Sequence, residues 1–302
     1  MAAQGAPQPP TDKPFSLKGP ASFVLSTCAM AMHSVIVVSS NDQIVRFYAF
    51  EPRFNLNLEY STADLDCRAH AMHCFAIKGG GREQKWSSYF AWGDDFGRIH
   101  IIPESTLLSY RVGSIGAQVA QVKSKTVASE HSESVFTLHL FTGWVTQIEF
   151  IPDLGAGALA VCSNDGNVVI LNPLENDKDK CIIYRYEGHS LAVKCLAWVK
   201  SYRCIASSGL DRDILLWDPR NGHRTGRLRG HKAPVLNICY YDKNDMLFTL
   251  DLRYQLYIWA MNSQQIISQV NTDAGDPWIT KHRFRSHCIL INEDRGHRRG
   301  EA

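Results

Sequence analysis

Apolar and polar positions in this chain alternate two by two in short runs bounded by Gly, Asp and Pro, the period of antiparallel strands and not of helices. The rhythm is clearest from Gly188 to Ala260, where one pattern is written twice. Gly188-His189 opens the first copy and Trp217-Asp218 closes it; Gly230-His231 opens the second, and Trp259-Ala260 stands at its close. The histidines are 231 − 189 = 42 residues apart, and so are the tryptophans, 259 − 217 = 42. Val193, Leu196 and Trp198 follow His189 at offsets 4, 7 and 9, as Val235, Ile238 and Tyr240 follow His231. Before the closing tryptophans, Ile214 and Leu216 match Leu256 and Ile258. The copies are in register.

Fainter copies precede these two. Residues 1–20, with Gly5, Pro7, Pro9, Pro10, Pro14, Gly19 and Pro20, have no period and read as a flexible lead-in. In residues 21–60, Asp42 stands six residues before Tyr48 as Asp211 stands six before Trp217, which predicts a first unit. A second, 61–112, opens near Ala69-His70, has Cys74 and Ile77 at offsets 4 and 7, and puts Ile102 in the closing aromatic's place. Its outer strand is predicted at Leu107–Val112, followed by an insertion over 113–140 where the rhythm is lost. The third unit, 141–184, has Phe141 in the histidine's place, the turn Ser163-Asn164-Asp165-Gly166, and Leu171 in the tryptophan's place. Units over 185–226 and 227–270 are the matched pair. Residues 271–291 offer a sixth fragment through Trp278-Ile279 and Cys288–Ile291, and 292–302 form a polar tail.

A GH to WD frame repeating every 42 residues resembles the WD-repeat β-propeller family. The resemblance implies an all-β propeller; the units counted above make about five recognisable blades plus a fragment, and with no closing strand visible an incompletely closed ring is expected. It also implies a buried hydrogen-bonded tetrad at His189, Ser207, Asp211 and Trp217, with a degenerate second set at His231, Thr249, Arg253 and Trp259. In that second set Arg253 stands where an aspartate belongs, so the fifth blade is expected to be weaker. More finely, Trp144-Val145-Thr146-Gln147 within Phe141–Pro173, Gly209-Leu210-Asp211-Arg212 and Leu228–Pro234 resemble the large animal WD-repeat proteins of cilia and flagella. Some of those carry EF-hand segments, but no D-x-D-x-D-G calcium loop occurs here. Those relatives have many more repeats. A shortened form, or a chain that closes its propeller with another chain, is therefore expected.

Composition narrows the chemistry. At 302 residues, 45% apolar and a formal charge of +2, the chain has no global field pointing to nucleic acid or an anionic membrane. Nine cysteines, an odd number without C-x-x-C, fit reduced thiols of an intracellular, cytoplasmic protein. Phe23–Val38 is the one run that resembles a membrane segment, and Ser26, Thr27, His33 and Ser34 interrupt it. Gly79-Gly80-Gly81 lacks the Gly-Lys-Ser/Thr ending of a phosphate loop and reads as a hairpin tip.

Three groupings invite chemistry. His189, Ser207 and Asp211 have the residue types of a hydrolase triad, but a catalytic serine needs an exposed sharp turn, and Ser207 lies inside a strand. Cys67, His70, His73 and Cys74 suggest zinc, yet His73 and Cys74 point to opposite faces of a strand, and His70 reads as a degenerate opening histidine. Arg220, Arg224, Arg227, Arg229 and Lys232, and the stretch from Lys281 to Arg299, read as solvated faces; no aromatic platform favours RNA. No catalytic residue, cofactor or metal is assigned.

The reading is a non-enzymatic protein-interaction scaffold, with a ciliary or cytoskeletal assembly as its setting. An RNA-binding or ribonucleoprotein-associated propeller ranks second. The loop entering each first strand and the turn joining the second strand to the third open on one end of a blade. There Leu191, Leu210, Arg212, Lys232, Arg253 and Tyr254 are expected to meet a protein partner.

Overall fold

The computed structural model describes residues 23–30, 35–50, 56–62, 67–78, 86–104, 121–122, 136–175, 177 and 180–271. The predicted lead-in, the Gly79–Lys85 tip, the sixth fragment and the tail lie outside these residues.

Among the described residues, short alternating runs become five separate, largely antiparallel sheets. The first comprises β1 (Val24–Met30), β2 (Val35–Ser40), β3 (Val45–Phe50) and β4 (Leu56–Thr62). The second begins with β5 (Ala69–Lys78), β6 (Trp86–Asp94) and β7 (Arg98–Pro103). Next in the chain, β8 (Gln121–Val122) joins the first sheet, parallel to β4, and β9 (Phe136–His139) then completes the second. The place predicted for Leu107–Val112 is thus taken by Phe136–His139, whose Leu138 pairs with Ile99 and turns into the core. Leu107–Val112 and most of the predicted insertion 113–140 lie outside the described residues; within that span β8 and β9 are strands.

The third sheet is β10 (Val145–Ile151), β11 (Ala158–Ser163), β12 (Val168–Leu171) and β13 (Ile182–Tyr186). The fourth is β14 (Val193–Val199), β15 (Cys204–Gly209), β16 (Ile214–Trp217) and β17 (Arg224–Leu228). The fifth is β18 (Val235–Tyr241), β19 (Met246–Asp251), β20 (Gln255–Ala260) and β21 (Gln265–Asn271).

The sheets share a fine structure that composition does not suggest. In all five, the first strand slips register one residue after its first pair, between Val24 and Ser26, Ala69 and Ala71, Val145 and Gln147, Val193 and Cys195, and Val235 and Asn237. Such a bulge re-aims side chains and adds twist. It gives a common register across the sheets, in which Val24, Ala69, Val145, Val193 and Val235 are equivalent.

The first strands lie side by side in the order β1, β5, β10, β14, β18. Each sheet buries a face on the next. Cys195, Ala197, Ala206, Ile214 and Leu216 of the fourth pack on Ile238, Leu247, Tyr257 and Trp259 of the fifth. The opposite face of the fourth, with Leu196, Ile205, Leu215 and Trp217, packs on Ala160, Cys162, Ile170 and Tyr186 of the third. Burying a side chain of this size contributes roughly 1.5–3 kcal/mol, so these faces supply most of the driving force. Buried polar groups stitch the first strands together as well. The Gln147 amide donates to the Leu196 carbonyl at 2.8 Å and accepts from the Leu196 amide at 3.3 Å. Ser39 Oγ donates to the Ala69 carbonyl at 2.6 Å. Among the described residues the first and fifth sheets share no packing comparable to that between neighbours, so the row is not closed into a ring.

Candidate functional site

The fourth sheet brings its four singled-out residues together. His189 Nδ1 lies 2.7 Å from Asp211 Oδ2, and His189 Nε2 lies 2.7 Å from Ser207 Oγ. Trp217 Nε1 donates to the same Ser207 oxygen at 2.7 Å. Ser207 is fully buried in β15, and the His189 ring is equally enclosed. A substrate carbonyl has no approach to that hydroxyl, which is already committed to two ring nitrogens. What the arrangement can do is satisfy buried polar groups while tying the loop before β14 to β15 and β16.

The fifth sheet corrects the expectation for Arg253. The carboxylate beside His231 belongs to Asp251, two residues earlier, with Oδ2 at 3.3 Å from His231 Nδ1. His231 Nε2 meets Thr249 Oγ1 at 2.7 Å, and Trp259 Nε1 donates to that oxygen at 2.8 Å. Arg253 is exposed, and its backbone amide donates to Asp251 Oδ1 at 2.9 Å, as does that of Gln255 at 3.0 Å. The physical reason lies in the register: Asp251 ends β19 where Gly209 ends β15, so its side chain reaches both the turn amides and the histidine. Burial lowers the His231 pKa, and Asp251 offsets only part of that.

The second sheet uses the same solution. Asp94 ends β6, takes the amides of Phe96 and Arg98 at 2.9 Å each on Oδ1, and holds Arg98 Nε at 2.6 Å and His100 Nε2 at 3.1 Å on Oδ2. Burial pushes its pKa up, but the bonds from His100 and Arg98 outweigh that and bring it down to about 2. Cys67 adds its sulfur, so Cys67, Asp94 and His100 present ligand atoms within 4.8 Å of one another. With four donors already on Asp94 and a guanidinium among them, this cluster has the character of a hydrogen-bonded hub, not of a cation cage. Burial, with the nearby Asp94 carboxylate, raises the Cys67 thiol to about 12.

The other grouping weighed for zinc does not converge. Cys67 sits by Asp94, Cys74 faces Cys28 with 3.4 Å between sulfurs, and His70 stacks on Trp144 with ring centroids 6.0 Å apart. His70 is also corrected as an opening histidine. In the common register it falls within β5 at the place Lys194 holds in β14, five residues after His189.

The six residues expected to meet a partner are all exposed. Their segments are pinned to one end of each sheet: the Leu210 amide donates to the Ala192 carbonyl at 2.9 Å, and the Leu252 amide to the Pro234 carbonyl at 2.8 Å. Further apolar side chains occupy the matching segments of other sheets. Phe96 (54% exposed), Trp144 (39%) and Leu252 (56%) join Leu191 (53%) and Leu210 (38%). Lys194 caps Trp144 with its ammonium 5.4 Å from the ring, and donates to Asn164 at 3.2 Å. In the basic stretch, Arg227 is paired with Asp213 and Arg229 lies 3.8 Å from the same carboxylate, so part of that charge is neutralised. Lys281 to Arg299 lie outside the described residues. Among the described residues no helix is long and apolar enough to cross a membrane.

Residues 180–218 match the family model described as WD domain, G-beta repeat. The chain is 28% identical over 91 residues to the Denticleless protein homolog of Danio rerio, covering 30% of this chain and 14% of that protein. To the Cilia- and flagella-associated protein 337 B of Tetrahymena thermophila it is 21% identical over 136 residues, 45% of this chain and 10% of that one. To the Nuclear distribution protein nudF 1 of Talaromyces marneffei it is 28% identical over 110 residues, 36% and 23% of the two chains. The chain thus spans less than a quarter of the length of these relatives. A chain of the solved Crystal Structure of Mitotic Checkpoint Complex superposes with a TM-score of 0.60 at 16% identity, covering 85% of this chain and 67% of that one. The chain therefore contains a segment that matches the WD repeat, and its described sheets have the architecture of a propeller that does not close into a ring. WD-repeat proteins generally serve as scaffolds for other proteins.

Proposed function

We propose that this chain is a non-enzymatic docking scaffold whose partner-binding end is formed by the loops entering the first strands and the turns between second and third strands. The observation that carries the reading is the concentration of exposed large apolar groups in those segments: Phe96, Trp144, Leu191, Leu210 and Leu252. Arg212, Lys232 and Arg253 stand exposed beside them. Exposed aromatic and aliphatic anchors rimmed by cations suit a protein segment that brings apolar side chains and carboxylates. A ciliary or cytoskeletal setting, within the cytoplasm, is the finer part of the proposal. It is supported by the similarity to a cilia- and flagella-associated protein. Closure of the row by another chain belongs to the same reading, since the outer faces of the first and fifth sheets lack a neighbouring sheet among the described residues.

Affinity capture from ciliated cells, with RNase added, tests this. Leu210→Asp combined with Leu252→Asp is expected to abolish capture while leaving the unfolding midpoint within a few degrees of the parent. Capture that survives the double substitution, or that RNase releases, overturns the assignment of this end.

A further inference from the structure

Cys28 of β1 and Cys74 of β5 face each other across the junction of the first two sheets, with 3.4 Å between their sulfurs. Both are half-buried at the border of a cluster containing Met30, Val37, Phe47, Met72 and Phe90. Cys162 and Cys195 point their sulfurs elsewhere, the first 3.2 Å from Thr146 Oγ1 and the second 3.6 Å from the Ser208 carbonyl. A disulfide requires about 2.05 Å between sulfurs, so the pair needs to approach by roughly 1.4 Å. Two partly exposed strands on separate sheets can supply that by a small slide.

We propose that Cys28 and Cys74 are a redox modification site, forming a reversible disulfide that clasps the first sheet to the second when the chain meets a peroxide. The chemistry balances in two steps. Cys28 sulfur attacks a peroxide oxygen, the O–O bond breaks, one water leaves, and the sulfur becomes a sulfenic acid. Cys74 sulfur then attacks that sulfenic sulfur; an S–S bond forms, the S–O bond breaks, and the hydroxide leaves as a second water with the thiol proton. Overall two thiols lose two electrons and two protons to one peroxide. Cys74 suits the second role because its sulfur lies 3.4 Å from that of Cys28, within reach of the sulfenic sulfur once it forms. A dithiol reductant reverses the link by exchange.

The link would close a loop between positions 46 residues apart in sequence. Constraining the unfolded chain over that distance raises the stability of the folded state. The full chain, reduced and then exposed to hydrogen peroxide, is digested without reductant and its peptides are identified by mass. The expected product is a peptide pair joined through Cys28 and Cys74, with a thermal midpoint about 5 °C or more above the reduced protein. Cys28→Ala should fold normally, because β14 carries Ala197 at the same register, and should show neither product nor shift. Recovery of Cys28 and Cys74 as separately alkylated thiols after peroxide, or a link to a different cysteine, overturns the proposal. So does a midpoint that rises equally in Cys28→Ala.

Discussion

Asp251 Oδ1 accepts the backbone amide of Arg253 at 2.9 Å while its other oxygen faces His231 at 3.3 Å, so one carboxylate serves both the turn and the histidine. Asp251→Ala leaves two amides and a buried imidazole without their acceptor. A cost of about 3 kcal/mol is expected. Arg253→Asp, by contrast, adds a carboxylate beside one whose sites are filled and should change stability by no more than about 0.5 kcal/mol. Urea unfolding of both variants checks this; a marked stabilisation by Arg253→Asp would restore the idea that position 253 is a vacant aspartate site.

Ser207 and Thr249 do the same work in neighbouring sheets, each hydroxyl lying between a histidine Nε2 and a tryptophan N–H. Ser207→Thr should therefore cost less than about 1.5 kcal/mol, the added methyl being the only new demand. Ser207→Ala strips both ring nitrogens of their partner and should cost about 2–4 kcal/mol. Equal losses in the two variants would show that packing, not hydrogen bonding, governs this position.

Acid should weaken the fold in two windows. Burial lowers the His231 pKa below 6.5, so the unfolded chain takes up a proton there more readily than the folded one. That contribution is complete above about pH 6.5 and is lost as pH falls below it. Asp94, held at about 2 against an ordinary 3.8, stabilises the folded state above about pH 4 and loses that contribution as pH falls toward 2. The second window amounts to on the order of 2 kcal/mol. Urea midpoints at pH 7, 5 and 3 should fall in that order, and Asp94→Asn should flatten the last step. A midpoint that rises from pH 7 to 5 would contradict the histidine assignment.

Much of this architecture was legible in the chain because the 42-residue frame from His189 to Trp259 repeats its apolar offsets without a gap. Asp251 is not, because the 42-residue frame matches position 253 to the turn residue Asp211, whereas the fifth and second sheets place the carboxylate at the strand end, as Asp251 and Asp94. The signal was present: each is an Asp two residues before a non-Asp turn residue, Arg253 and Phe96. Phe136–His139 escaped because β9 has only four residues and follows a long run without alternation. Gln147 escaped because nothing local marks a glutamine whose partners, the Leu196 amide and carbonyl, lie 49 residues away.

Gly97 joins the second sheet to the third at the exposed end. It has φ +74°, and its carbonyl accepts the amides of Leu140 at 3.0 Å and Phe141 at 3.1 Å. A Cβ at this position would lie 2.2 Å from the Phe141 carbonyl oxygen, a backbone atom that cannot swing aside. Gly97→Ala thus combines left-handed strain with a clash that pushes the Phe141 segment away from the turn. Together these should cost about 2–4 kcal/mol. Because the damage is at the junction, the amides of Leu140 and Phe141 should lose hydrogen-exchange protection ahead of those in β15 and β16. Gly97→Ala that left exchange at 140 and 141 unchanged would mean that the two sheets are held together by their apolar faces alone, through Phe75 stacked on Phe150 with centroids 4.9 Å apart.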